Sequence, residues 1–130
     1  MKILVGYENS NVANHALEVA IKHARAFNAQ LIVVISMKGG PEVPRKTFDI
    51  AEKTLERAKS AVKKEGVACD TRLSVQGLPP GEDLVEIAEK YDVEEIVIGV
   101  KRRSKVGKMI FGSNAQYIIL KAPCPVVAVK

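Results

Sequence analysis

Tryptophan is absent, aromatic residues are only 5% of the chain, and there are only two cysteines and two histidines. Cys69 and Cys124 lie far apart with no CxxC spacing, and His15 and His23 share one helical stretch without the HExxH spacing of a zinc pair. These residues read as reduced thiols and ordinary helix positions, so no metal site is expected. Long apolar runs are missing too. Ile3 to Val5, Leu31 to Ile35, Ile96 to Ile98 and Val126 to Val129 are each far short of the roughly 20 residues that a membrane-spanning helix needs. Met1-Lys2 leads straight into the first of them, without the apolar region and cleavage site of a secretory leader, and a cytoplasmic location is expected.

Several catalytic signatures are also lacking. Gly107-Lys108 is followed by Met109 and has no glycine five residues earlier, which excludes a Walker A loop, and no GxGxxG follows the first apolar run. A receiver-type phosphotransfer domain wants an aspartate where Val75-Gln76-Gly77 stands, and an ATP pyrophosphatase wants Ser-Gly-Gly where Tyr7-Glu8-Asn9-Ser10 stands. No paired base and nucleophile is visible, so at most slow hydrolysis of a bound nucleotide is expected, not a demanding catalytic centre.

What is present is an ordinary globular balance, 47% hydrophobic and 27% charged over 130 residues, the size of one domain. Lys2 to Gly6 is a short apolar run ended by glycine and suits a strand buried on both faces. From Val12 to Phe27, Ala13, Ala16, Leu17, Ala20, Ile21, Ala24 and Phe27 recur at helical spacing. Leu31 to Met37 predicts a second buried strand, closed by Lys38-Gly39-Gly40-Pro41. Phe48, Ala51, Leu55, Ala58 and Val62 mark a long helix that stops at Gly66. Asp70 to Val75 alternates, with Thr71, Leu73 and Val75 opposite Asp70, Arg72 and Ser74, which predicts an edge strand. Leu84, Ile87, Ala88 and Tyr91 give a third helix and Glu94 to Gly99 a fourth strand; Ala115, Ile118, Ile119 and Ala122 give a last helix before the closing strand. Strict alternation of this kind predicts a three-layer α/β/α fold on a parallel sheet with right-handed crossovers.

The charge is localised. Lys101, Arg102, Arg103, Lys105 and Lys108 lie between Gly99 and Gly112 with no acid among them, and the rest of the chain balances, so the net charge of +5 sits in one loop. In a doubly wound sheet, ligands bind beyond the carboxyl ends of the strands where the winding reverses. The loops after Gly6 and after Gly99 are the candidates. The second combines glycines, cations and a helix start at Gly112-Ser113-Asn114, all suited to phosphate oxygens. The same features also fit a plain serine N-cap behind a solvated basic loop. Nucleic acid is disfavoured as a partner because Phe111 alone could offer a stacking surface in that loop.

The chain resembles the universal stress protein family over essentially its whole length. Ile3 to Ser10 with Ala16-Leu17 is similar to that family's opening strand, turn and first helix, Gly77 before Pro79 to its Gly-x-Pro, and Pro123-Cys124-Pro125-Val126-Val127 to its closing strand. The family's ATP signature, Gly, two residues, Gly, nine residues, Gly-Ser, has its spacing here in Gly99, Arg102 and Gly112-Ser113, with Arg102 where the second glycine belongs. That arginine either crowds the phosphates or adds a charge-assisted contact to them. The resemblance implies a Rossmann-like sheet in the order 3-2-1-4-5 and an ATP or AMP site, with or without Mg. The implied contacts are Gly6, Tyr7, Glu8, Ser36, Ile98, Gly99, Lys101, Arg102, Arg103, Gly112, Ser113 and Asn114. Ser36 stands at the backbone position facing adenine, and Glu8 replaces the family's aspartate. The resemblance further implies a homodimer through the apolar edge Val126 to Val129 and a stress-response regulatory role. The alternative is a dimeric interaction protein that binds no nucleotide.

Overall fold

The computed structural model describes residues 1–8, 11–100 and 112–130. Strands and helices alternate along them: β1 (Lys2–Gly6), α1 (Asn11–Phe27), β2 (Gln30–Met37), α2 (Arg45–Lys64), β3 (Cys69–Val75), α3 (Pro80–Lys90), β4 (Glu95–Gly99), α4 (Ser113–Lys121) and β5 (Val126–Val129). The five strands form one parallel sheet in the order β3-β2-β1-β4-β5, as the resemblance implied.

Uniformly apolar strands occupy the middle of the sheet because helices cover both of its faces. Ile3, Val5, Leu31, Val33 and Val97 pack against Ala16, Leu17 and Ala20 of α1 and Leu55, Ala58 and Val62 of α2. Leu4, Ile32, Val34, Ile96 and Ile98 project the other way, onto Leu84, Ile87 and Ala88 of α3 and Ile118 of α4. The winding therefore reverses between β1 and β4, which leaves a mouth where their following loops diverge.

Three expectations about individual faces are corrected. Phe27, placed on the buried stripe of α1, is 54% exposed, and its ring stacks edge-on against His23 at 5.8 Å near the helix end. Ile119, placed on the buried stripe of α4, is 42% exposed because this short helix buries essentially Ile118 alone. On β3, which is an edge strand as expected, Ser74 is buried and Val75 exposed, the reverse of the alternation read from the sequence. Ser74 pairs in register with Ser36 of β2, whose hydroxyl lies against the buried Asp83 of α3, so a polar contact organises that corner.

Two glycines at the strand ends set how closely the helices approach. A Cβ at Gly6 would stand 2.9 Å from Leu84 Cδ1 of α3. A Cβ at Gly99 would stand 2.5 Å from Val12 Cγ1 and 3.0 Å from the Val12 carbonyl of α1, and that backbone oxygen cannot rotate aside. Gly99→Ala is expected to cost about 1–3 kcal/mol through overpacking, read as a lower urea midpoint. Gly112→Ala, whose Cβ would meet nothing within 4 Å among the described residues, is expected to stay within about 1 kcal/mol of the parent.

Candidate functional site

The mouth is built from strand ends. Gly6 of β1 lies between Val34 of β2 and Ile98 of β4 in register, and the Tyr7 N–H continues the ladder to the Val34 carbonyl at 2.9 Å. On the far side the Val100 N–H reaches the Val129 carbonyl at 2.7 Å, so β4 runs straight to the start of the basic loop. Gly6, Ile98 and Gly99 are thus brought together, and Ser36 stands one strand away at the end of β2. Glu8 is exposed at the rim.

The Tyr7 side chain turns away from the mouth. Its phenol donates to Asn14 Oδ1 of α1, and the side chain packs on the α1/α2 half-core. Burial pushes the phenol above its ordinary value, with the Arg57 guanidinium opposing in part, so the hydroxyl stays a neutral donor. What Tyr7 offers the mouth is its backbone.

Gly112 leads into α4 with extended backbone angles, φ −64° and ψ 161°, and among the described residues no side chain caps the helix. The first intrahelical bond runs from the Gln116 N–H to the Gly112 carbonyl at 3.0 Å, so the N–H groups of Ser113, Asn114 and Ala115 have no partner within the helix. Ser113 and Asn114 are exposed. Asn114 also has a structural duty: its Oδ1 accepts the Gly81 N–H at 2.9 Å, and a Cβ at Gly81 would lie 2.9 Å from the Asn114 carbonyl. The first turns of α3 and α4 are therefore locked together, and α3 in turn rests on Gly6 through Leu84. Lys101, Arg102 and Arg103 lie outside the described residues.

Sequence reasoning missed Asp83, Ser74, Asn14 and Val12. Asp83 had a signal: it sits four residues before Ile87, which places an acid on the buried stripe of α3. Among the described residues no group of three or more His, Cys, Asp or Glu could hold a metal ion, and no helix is long and apolar enough to cross a membrane. Cys69 is a free thiol pushed up to about 11, chiefly by burial, and the half-buried Cys124 is raised for the same reason.

A profile of the universal stress protein family matches residues 1–130. The "Universal stress protein in QAH/OAS sulfhydrylase 3'region" of Thermus aquaticus is 34% identical over 135 residues, covering 98% of this chain and 97% of that protein. A solved universal stress protein from Archaeoglobus fulgidus superposes with a TM-score of 0.89 at 36% identity, covering 99% of this chain and 97% of that one. A universal stress protein structure from Archaeoglobus fulgidus in complex with dAMP superposes with a TM-score of 0.84 at 32% identity, covering 99% and 96%.

Removing the α3–α4 lock is expected to loosen the mouth. Asn114→Ala leaves the Gly81 N–H without its acceptor and is expected to cost about 1–3 kcal/mol, seen as a fall in the thermal midpoint, while Asn114→Asp retains an acceptor and most of the stability.

Proposed function

This chain belongs to the universal stress protein family, and on that premise we propose that it is a one-domain, homodimeric regulatory module of the cytoplasm that binds an adenine nucleotide, ATP or AMP. The observation that carries the reading is the start of α4, which has no side-chain cap among the described residues and is held to α3, and so beside the glycine-bearing end of β1, by the Gly81–Asn114 bond. The 32%-identical relative solved with dAMP supports adenine as the base.

The residues fit such a ligand. The Ser113 to Ala115 N–H groups and the Ser113 hydroxyl receive phosphate oxygens, and the positive end of the helix dipole favours their charge. Gly112 brings no side chain to the approach, and a Cβ there would meet nothing within 4 Å among the described residues. The cations of the basic loop, Lys101, Arg102 and Arg103, add their charge from the segment between Val100 and Gly112. The base lies toward Tyr7, Glu8 and the end of β2 at Ser36. Magnesium, where a triphosphate brings it, is held chiefly by the phosphate oxygens. The role is occupancy sensing rather than turnover, with slow hydrolysis of bound ATP as its upper limit.

Ser113→Pro tests the phosphate contact. Proline is favoured at the first helical position and suits the extended Gly112 before it, so the helix survives while one N–H and one hydroxyl are lost. Calorimetry of the parent with ATP is expected to give a Kd below about 1 mM, weakened about tenfold or more in Ser113→Pro. Absence of heat at millimolar ATP, with and without Mg, leaves only the dimeric interaction protein.

The dimer has its own support. β5 ends the sheet, and α4, which leads into it, exposes Leu120 at 78% and Ile119 at 42%. The carbonyls of Pro125 and Val129 bond to β4, so by strand alternation the Ala128 N–H faces outward, free to pair with a second copy. Light scattering is expected to give twice the chain mass for the parent and a monomer for Ala128→Pro, which removes that donor without touching the bonds to β4.

A further inference from the structure

β3 closes the sheet on the side away from β5, and among the described residues only β2 pairs with it. Leu31, in register with Cys69, bonds through its N–H to the Ala68 carbonyl at 2.9 Å, so Ala68, Asp70, Arg72 and Ser74 turn their backbone groups to β2. The N–H and C=O groups of Cys69, Thr71, Leu73 and Val75 therefore face outward, along an edge that carries neither proline nor lysine. Two charges of opposite sign stand on one face of this strand, the exposed Asp70 and the half-buried Arg72. The Arg72 guanidinium lies over the Tyr91 ring at 4.5 Å, and among the described residues neither ion pair, His23–Glu95 or Arg25–Glu65, uses Asp70 or Arg72.

The flank of α2 beside this edge repeats the pattern. Arg57 and Glu65 mark the flank toward α1, the first by its influence on the Tyr7 phenol and the second by its ion pair with Arg25. Glu52, Glu56, Lys59 and Lys63, spaced at helical intervals, fall on the opposite flank. Lys59 and Lys63 lie close enough to the Cys69 thiol to oppose the rise that burial causes there. Because α2 runs from the end of β2 to the start of β3, the two lysines stand beside the start of β3 and the two glutamates toward its end.

Both patterns are self-complementary under one two-fold axis. For two β3 strands pairing antiparallel, a register centred on Asp70 sets carboxylate against carboxylate, and one centred on Arg72 sets guanidinium against guanidinium. Centred on Thr71, Asp70 of each copy stands opposite Arg72 of the other, at the closer of the two spacings of an antiparallel pair. The same axis, normal to the sheet, lays the two α2 helices antiparallel on one face, with Glu52 and Glu56 of each turned toward Lys63 and Lys59 of the other.

We propose that the outer edge of β3, with this flank of α2, is a docking surface for a second copy of this chain, joined antiparallel about Thr71. One strand pair buries well under the roughly 1,600 Å² of a standard interface, so the contact is weak and reversible, dissociated at low micromolar concentration. It is separate from the β5 edge and joins molecules already paired there into larger assemblies as concentration rises.

The test is sedimentation of the full chain from about 10 μM to about 1 mM at low salt, in the Ala128→Pro background so that only the β3 edge is free to pair. The mass at the lowest concentration reads the β5 edge, and its rise from there reads β3. A rise toward twice the chain mass is expected, suppressed by about 0.5 M salt. Asp70→Arg or Arg72→Asp alone sets like charges opposite each other and is expected to weaken association about tenfold. Their equimolar mixture, in which each reversed charge meets its opposite, is expected to return to within about threefold of the unreversed chain. Thr71→Pro removes an outward N–H without touching the bonds to β2 and should abolish the rise. Glu56→Lys and Lys59→Glu follow the same scheme on α2, and decide the matter if Arg72→Asp, which also loses the Tyr91 contact, does not fold. A mass that does not rise by about 1 mM, a rise that Thr71→Pro leaves unchanged, or charge reversals whose mixture is no stronger than either alone overturns the proposal.

Discussion

Close approach of helices to the ends of the two central strands is the constraint on which the rest of this molecule depends. Gly6 and Gly99 pair at neighbouring positions on β1 and β4 and turn to opposite faces, one toward Leu84 of α3 and the other toward Val12 of α1. With a side chain at either position the helix above must lift, and the mouth between the diverging loops changes shape. Gly81 repeats the device between the first turns of α3 and α4. Three contacts without side chains thus place three helix starts around one opening.

Helix starts carry unpaired N–H groups and the positive end of the backbone dipole. Gathering them at one end of the sheet polarises the chain before any lysine or arginine is counted. β4 ends and α4 begins at the same end of the sheet. The opposite end is different in kind: His23 Nδ1 lies 2.9 Å from Glu95 Oε2 at the beginning of β4, a local polar pair far from the mouth. Chemistry and support are segregated to the two ends of the strands.

Most of the fold was legible because local pattern and global demand agree. Unbroken apolar runs at β1, β2 and β4 predicted strands covered twice, and spaced alanines in α1 predicted a helix lying close on the sheet. The misreadings fall where an element is short or lies at a margin. Phe27 is the last residue of α1, Ile119 sits on a helix of nine residues that buries little, and Ser74 lies near the end of the edge strand β3. The strand ends and the helix start that carry the proposed site were legible, but not that the side chains of Tyr7 and Asn114 are bonded elsewhere, to Asn14 and to Gly81.

By itself, the sequence determined the alternation of elements, the placing of the charge in one loop and the glycines that end β1 and β4, because each of these is a property of neighbours along the chain. Only the tertiary structure decided that Ser36 meets the buried Asp83 beside Ser74 and that Asn114 locks α4 to α3. Those partners stand 47 and 33 residues apart in the chain. A hydrogen bond requires two atoms within about 3 Å, and no periodicity along a sequence specifies which distant polar groups the packing of helices on a sheet will bring that close.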